Sequence, residues 1–205
     1  FFVREKGKLM CKFSEDSRQK LGNAVIYIAN HTEQLSKTKL LKLLFLMEEY
    51  MVKRYHVPFM GLPFEIWQAG PVAKDIFIDL SDGPFLLKDF VKTEVQKDAT
   101  YIRAIKPFCD DEFSDCEMEM MDEIIRKYGK KTAKQLVAEV HKEGSLWFNA
   151  AKKHGLLTAF NKGLCNNSDY TIDFSEELSD CAREDYKESL AIHQTANILK
   201  AQEHV

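Results

Sequence analysis

A histidine and a glutamate two residues apart, His141 and Glu143, are the first residues whose spacing suggests chemistry. Zinc-dependent deaminases use an H-x-E of this kind, followed further along the chain by a P-C-x-x-C segment. The nearest counterpart here, Pro107-Phe108-Cys109, precedes the histidine, and Cys109 has no cysteine three residues later. The sequence therefore argues against a deaminase. We instead expect His141 to end a helix, exposed or half-buried, where an imidazolium is favoured by the helix dipole.

An acidic run, Asp110-Asp111-Glu112, permits two interpretations. Carboxylates are the ligands that Mg²⁺ prefers, so the run can hold a hard cation and support a metal-dependent hydrolase or nuclease. The run also precedes a predicted helix, where negative charge is favourable without any metal. The second interpretation requires less, so we predict no metal, no cofactor and no catalytic residue, and metal-dependent hydrolysis stays the alternative.

Basic residues gather around Gly129, at the junction of two predicted helices. They are Arg126, Lys127, Lys130, Lys131 and Lys134. Such a cluster can bind phosphate, but neither a glycine-rich loop nor interleaved aromatic residues accompany it. Lysines at a helix junction usually form a solvated face, so we do not expect nucleic-acid binding. The chain also lacks the short motifs of serine hydrolases, P-loop proteins, zinc proteases and dinucleotide-binding enzymes.

The composition is that of an ordinary globular protein. The 205 residues include 29 basic and 32 acidic side chains, which gives a net charge of −3, and 45% of the residues are hydrophobic. These values exclude intrinsic disorder and a collagen-like chain, and they do not favour attraction to nucleic acid or to an anionic membrane. No stretch approaches the ~20 continuous apolar residues of a membrane-spanning helix.

Five cysteines, an odd number without C-x₂-C spacing, argue against a disulfide framework and a structural zinc site. The N-terminal residues lack the layout of a signal peptide. Together these features predict free thiols in a reducing cytoplasm. Met10 is a candidate for the natural start of the protein.

Hydrophobic spacing predicts the elements that must position these residues. An amphipathic helix is predicted over 14–31 and a second one over 36–54, the latter apolar on nearly all sides. The side of this second helix that is predicted to face solvent is a narrow polar stripe of Lys39, Lys42, Glu49 and Lys53. A helix so apolar is usually central to a core. Residues 56–63 are a predicted loop, and 64–67 a short strand.

The middle of the chain predicts a small β insert. Pro71 suits the first position of a helix, so a third helix is expected over 71–80. Residues 91–95 and 101–105 alternate between apolar and polar side chains, which predicts a β-hairpin. Helices are then expected after the candidate caps Ser14, Ser114, Thr132 and Ser145.

A last strand is predicted over 170–174, and a long final helix from Ser175 to about Gln202. The thin apolar stripe of this helix consists of Leu178, Ala182, Tyr186 and Leu190, so the helix either lies across the body or pairs with another chain. The predicted fold class is α+β and predominantly α-helical. It comprises a helical body, a small antiparallel β insert and a long C-terminal helix.

Large apolar side chains in or beside the predicted loops are candidates for partner contact. They are Phe59, Met60, Trp67, Trp147 and Phe148. Residues of these types are enriched at binding hot spots. The alternative is that they fill the core beneath the loops.

Three motifs occur in order along the chain. The first is Lys42, Leu43, Leu44 and Phe45; the second is Trp67 followed by Gly70, Pro71 and Val72; the third is His141-x-Glu143 with Trp147 four residues on. Together they resemble the Panacea domain family of phage-associated, SocA-like antitoxins, whose corresponding helix reads L-x-K-L-L-Y-L. Phe45 stands where the family usually has tyrosine. The resemblance covers about residues 20–150.

The resemblance implies a non-enzymatic bacterial antitoxin that binds and neutralises a cognate toxin, usually from a prophage-associated pair. It implies as an alternative a proteolytic adaptor that delivers a toxin or another client to an ATP-dependent protease. No helix-turn-helix is recognisable, so control of transcription at DNA is not expected. We predict one domain, with a Panacea-like part over 1–155. The extension over 156–205 carries the long helix, which packs on the same domain and can support a homodimer.

Overall fold

The computed structural model of the protein describes residues 13–81, 83–97 and 99–202. Within these residues it has eight helices and two small antiparallel sheets. The helices are α1 (Glu15–His31), α2 (Lys37–Tyr55), α3 (Lys74–Asp79), α4 (Asp115–Tyr128), α5 (Ala133–Val140), α6 (Leu146–Lys153), α7 (Leu156–Asn161) and α8 (Asp180–Gln202). The strands are β1 (Glu65–Trp67), β2 (Gly70–Val72), β3 (Val91–Gln96) and β4 (Ala99–Ala104). The predicted α+β class, with its small β insert and long C-terminal helix, is confirmed.

Polar caps fix where several helices begin, as predicted. The side chains of Ser14, Thr132 and Ser145 each accept a backbone N–H from the first turn that follows. At the start of α4, the Glu117 carboxylate accepts the backbone N–H of Ser114 at 3.0 Å, as a capping box requires. Each cap accepts a backbone N–H that has no acceptor within the helix, and it stabilises the protein by about 1 kcal/mol.

Helix α2 lies at the centre of the core. Its apolar side chains are almost entirely buried, and it packs against α4, α5 and β2. The fully enclosed ones are Leu40, Leu43, Leu44, Phe45, Met47, Met51 and Val52. The Phe45 ring contacts the rings of Phe64 and Phe174, each with centroids 5.4 Å away. Burial on this scale contributes about 1.5–3 kcal/mol for each large side chain, so α2 organises the fold.

The predicted polar stripe of α2 is only half correct. Glu49 and Lys53 do reach solvent and pair at 2.9 Å. Lys39 and Lys42 are instead buried, with 5% and 1% of their surfaces exposed. Their ammonium groups find main-chain carbonyl groups inside the protein, which satisfies the donors without water.

The segment Gly70–Val72 is a strand rather than the start of a helix. It pairs antiparallel with β1, with Trp67 opposite Gly70 and Glu65 opposite Val72. Helix α3 therefore begins at Lys74, and the prediction that Pro71 opens it is wrong. Gly70 has a φ of +96°, which turns the chain back onto β1 and leaves Pro71 inside the pairing.

The second hairpin confirms the predicted insert. Strands β3 and β4 pair from Val91 opposite Ala104 to Gln96 opposite Ala99. The backbone N–H of Ile102 donates to the carbonyl of Leu35 at 2.8 Å, so the hairpin is fastened to the turn between α1 and α2.

The C-terminal region differs most from prediction. Helix α7 was not expected, because six residues carry less than two turns of a periodic pattern. The predicted strand at 170–174 is reduced to main-chain hydrogen bonds and a single bridge alongside β1. The final helix begins at Asp180 rather than Ser175, because the backbone N–H and hydroxyl of Ser175 both donate to Asp173 in a turn.

Helix α8 lies along the body and buries the predicted stripe. Ala182 and Tyr186 are buried, and Leu178 and Leu190 pack partly against the core. Further along the helix, the carboxamide oxygen of Asn197 accepts the hydroxyl of Ser17 at 2.6 Å. The extension is thus in direct contact with α1.

Among the described residues, none of the helices combines the length and the apolar character that a membrane span needs. The four cysteines that the structure describes are free: Cys109, Cys116, Cys165 and Cys181. Met10, the candidate start, lies outside the described residues.

Candidate functional site

The three sequence motifs meet at one place, which we call the motif node: Lys42, Trp67, Gly70–Val72, His141 and Trp147. Lys42 of α2 donates through Nζ to the carbonyl of Pro71 at 2.8 Å. The indole N–H of Trp147 donates to the carbonyl of Trp67 at 3.1 Å. Two side chains that donate to backbone carbonyl groups thus hold together segments 29 and 80 residues apart in sequence.

Lys42 occupies the middle of the motif node. Only 1% of its surface is exposed, and burial lowers its pKa to about 7. A charged ammonium loses its hydration on burial, and one carbonyl group offsets only part of that loss. The amine therefore loses its proton near neutral pH.

His141 closes the motif node from the C-terminal end of α5. Its ring stacks on the Trp147 ring, with centroids 3.9 Å apart and planes 11° from parallel. Burial, and then the charge of nearby Lys42, lower its pKa to about 4. The expected position at the helix end is confirmed, but the expected imidazolium is wrong, because the ring is neutral at physiological pH. Its Nε2 is buried and has no hydrogen-bond partner among the described residues.

The other motif residues fill the core around the motif node. Leu43, Leu44, Phe45 and Val72 are buried. Trp67 is only partly buried: its indole N–H donates to the Glu65 carboxylate at 2.8 Å, and its ring meets Phe77 edge to face. Lys42 and Trp147 are buried, so the motif node does not present them to solvent as reactive groups. It instead connects α2, the β1–β2 hairpin and the α5–α6 junction.

Gly70 makes the approach of Lys42 possible. A Cβ at this position would lie 2.9 Å from Lys42 Cε and 3.0 Å from Val140 Cγ2. We expect Gly70→Ala to lower the free energy of unfolding by about 2 kcal/mol, from the positive φ and the crowding together. Gly144→Ala is the matched control, because Gly144 has a φ of +83° and open space around it. It should cost about 1 kcal/mol, and equal losses in urea unfolding would contradict a packing role for Gly70.

The five candidate partner-binding residues divide by burial. Phe59 and Trp147 have 0% and 3% of their surfaces exposed, so a partner does not reach them in this structure. Met60, Trp67 and Phe148 are partly buried and remain accessible at the surface. Contact with a partner stays a prediction for all five residues, and the exposed edges of these last three are where it can occur.

One residue of consequence was missed by sequence reasoning. Glu48 of α2 is buried, and its carboxylate accepts the backbone N–H groups of Phe59, Met60 and Gly61 at 2.9–3.2 Å. Burial raises its pKa to about 7, against the opposing effect of the three N–H groups. The signal was present, since an acid within an almost wholly apolar helix must find donors inside the protein.

The acidic run lies in an exposed loop. Ligand atoms of Cys109, Asp110 and Asp111 come within 4.8 Å of one another, and all three residues are exposed. Glu112 does not join this group. Exposed acidic groups are common without a bound ion, so this grouping alone does not favour the metal-dependent alternative.

Comparison with known families places the chain. A family model described as "Antitoxin SocA-like, Panacea domain" matches residues 40–148, more than half of the 205 residues. This interval contains all three motifs and the whole motif node. Comparison with curated proteins and with solved structures gave no significant match.

Proposed function

The chain belongs to the family of SocA-like antitoxins with a Panacea domain, and from this premise we propose that it binds and neutralises a cognate toxin protein. The observation that carries the proposal is the match over residues 40–148. The toxin is the product of an adjacent, prophage-associated gene. The action is by binding, without catalysis, cofactor or metal, and it takes place in the cytoplasm, where the free thiols remain reduced.

The geometry supports different roles for the interior and the surface of the domain. The motif node is interior and stabilises the arrangement of α2, β1–β2 and α5–α6. Partner contact then falls on surfaces that this arrangement positions, including the exposed edges of Met60, Trp67 and Phe148. Aromatic and methionine side chains supply much of the affinity of protein interfaces when their surroundings are rigid.

Helix α8 is the surface for a second copy of the chain in this proposal. Ile192, Ile198 and Leu199 are each more than half exposed on it and would be buried by a second copy. Light scattering of the free protein and of the complex with toxin counts the copies in each.

The test is co-expression with the product of each adjacent gene. We expect one of them to arrest growth alone, to be tolerated with this protein, and to co-purify with it. Phe148→Ser should weaken rescue, whereas Val95→Ser, an apolar-to-polar change at an exposed position of the separate β3–β4 hairpin, should leave it intact. Absence of both complex and rescue with every neighbour would overturn the proposal.

The same cultures distinguish neutralisation by binding from delivery to a protease. If the protein sequesters its toxin, toxin half-life is unchanged or longer when both are present. An adaptor would shorten that half-life, and deletion of the ATP-dependent protease would restore it.

A further inference from the structure

A polar cleft of about 720 Å³ opens between the α1–α2 turn and the α4–α5 junction, apart from the motif node. Lys39 lies in its wall with Lys130 and Lys131. Glu33 supplies the acidic side chain among the described residues that line it. Lys131 is paired with Glu139, so Lys39 and Lys130 against Glu33 leave the cleft a small positive excess, which the overall charge of −3 conceals.

Lys39 is a buried cation that forms no ion pair with the described residues, although the charge of Glu33 in the same cleft opposes the effect of burial on its pKa. Its Nζ donates to the carbonyl groups of Gly129, at 2.7 Å, and Glu33, at 3.2 Å. Within the described part of the chain, no carboxylate lies within ion-pair distance of it, and burial lowers its pKa. An ammonium has three N–H groups, so one remains for an acceptor in the cleft. An anion bound there would offset the cost of burying this charge.

The rim adds further groups that favour an anion. Lys130 is exposed and forms no ion pair with the described residues. Lys131 pairs with Glu139 at 2.7 Å, which holds its ammonium in place. The cleft also receives the start of α5, where Thr132 caps the helix and first-turn N–H groups lack intrahelical acceptors.

A second polar cleft, of about 480 Å³, continues the first along β4. The two share Gln34 and Tyr101 as lining residues, and Arg103 lies in the wall of the second. Together they form a trough longer than a compact ion requires. An extended chain with several carboxylates matches its length and its charge.

We propose that this trough binds an acidic, extended peptide segment, with its carboxylates against Lys39, Lys130 and the start of α5. The described lining of the trough offers two aromatic rings, Tyr101 and His31, and the His31 ring already stacks on Tyr27. A peptide is favoured over nucleic acid because cations are also few, whereas single-stranded nucleic acid is held by several stacking rings and a continuous basic groove. This inference rests on the proposed function for the statement that the segment belongs to the toxin. The binding itself is independent of it.

The direct test uses a fluorescein-labelled decapeptide of alternating Glu and Asp, titrated with the full chain in 150 mM salt, and a Gln/Asn decapeptide as the neutral probe. We expect anisotropy to rise with the acidic peptide only. Lys130→Glu should weaken binding roughly tenfold, since it reverses a charge in contact with the ligand. Lys152→Glu is the matched control, because Lys152 is exposed on α6 and lines neither cleft, and it should alter affinity less than twofold.

A second variant distinguishes loss of binding from loss of folding. Lys39→Met keeps the buried stem and removes the cation, and it should abolish binding while thermal unfolding stays cooperative. Equal binding of the neutral peptide, equal weakening by Lys152→Glu, or tighter binding of a single-stranded oligonucleotide would each overturn the inference.

The toxin distinguishes this inference from the proposed function. If the acidic peptide binds but no adjacent gene product does, the trough stands and the antitoxin proposal fails. If a toxin complex forms and tolerates Lys130→Glu, and the peptide does not bind, the antitoxin proposal stands and the trough is overturned.

Discussion

Replacing Glu48 by alanine is expected to lower the free energy of unfolding by about 3 kcal/mol or more, among the largest effects of any single side chain here. The change leaves the backbone N–H groups of Phe59, Met60 and Gly61 buried without an acceptor. Each orphaned donor costs about 1–3 kcal/mol, and together they outweigh the relief of no longer burying a carboxyl group. Urea unfolding at pH 7 measures the loss.

The same loop holds helix α8, so the effect should spread. The His193 ring donates to the carbonyl of Met60 at 3.2 Å, and a Cβ on Gly61 would lie 3.0 Å from that ring. Hydrogen exchange in Glu48→Ala should therefore increase both at 59–61 and along α8, while α4 is protected until global unfolding.

Two variants sharpen this test. Glu48→Gln retains one acceptor oxygen but turns an amide N–H toward a backbone N–H, so its loss should be intermediate, about 1.5 kcal/mol. Glu49→Ala removes the neighbouring carboxylate, which forms an exposed pair with Lys53. It should cost under about 1 kcal/mol. A loss for Glu48→Ala as small as for Glu49→Ala would show that the loop does not depend on this carboxylate.

Glu48 also shows which feature of the fold could not be predicted from the sequence, namely the partners of a buried polar side chain. The helices were predictable because their caps and apolar spacing are local, and Ser14, Thr132 and Ser145 all act as their positions suggested. The fate of a polar residue on a buried helix depends on what lies opposite it. Glu48 faces three backbone donors from a loop 11–13 residues away, and no spacing rule specifies that contact.

The candidate site was likewise only partly predictable from the sequence. The order of the three motifs was visible in the sequence, and the structure brings Lys42, Pro71 and Trp147 together. Their chemistry was not visible, because a lysine in a polar stripe and a histidine at a helix end are both normally charged. Tertiary packing encloses both, and Pro71 enters a hairpin in place of a helix because its neighbour Gly70 turns the chain.

The pH dependence of stability should expose the enclosed amine of Lys42 directly. Its pKa is about 7 in the folded protein and 10.5 as the ordinary value, so between these limits the unfolded chain binds more protons than the folded one. The stability that this group contributes is therefore complete above pH 10.5. It decreases as the pH falls from 10.5 and is lost once the pH has fallen through 7. From pH 7 to pH 10 the gain from this residue should be about 3.5 kcal/mol.

The measurement is the difference in unfolding free energy between the wild type and Lys42→Met at pH 7, 8, 9 and 10. Methionine keeps the apolar stem that fills the space beside Gly70 but does not titrate, so the difference isolates the amine from all other groups. It should shift in favour of the wild type as the pH rises. Lys53→Met on the same helix is the control: burial acts to lower the pKa of Lys53, but its pairs with Glu177 and Glu49 outweigh that effect and raise the pKa.

For that control the difference should stay nearly constant from pH 7 to pH 10, because the stability from a raised pKa is complete below the ordinary value of 10.5 and is lost only as the pH rises above it. Parallel pH profiles for the wild type and Lys42→Met would mean that Lys42 keeps its proton inside the fold. The motif node would then hold a buried charge on one carbonyl, and that charge would help to keep His141 neutral, since burial and the Lys42 charge together lower the pKa of His141.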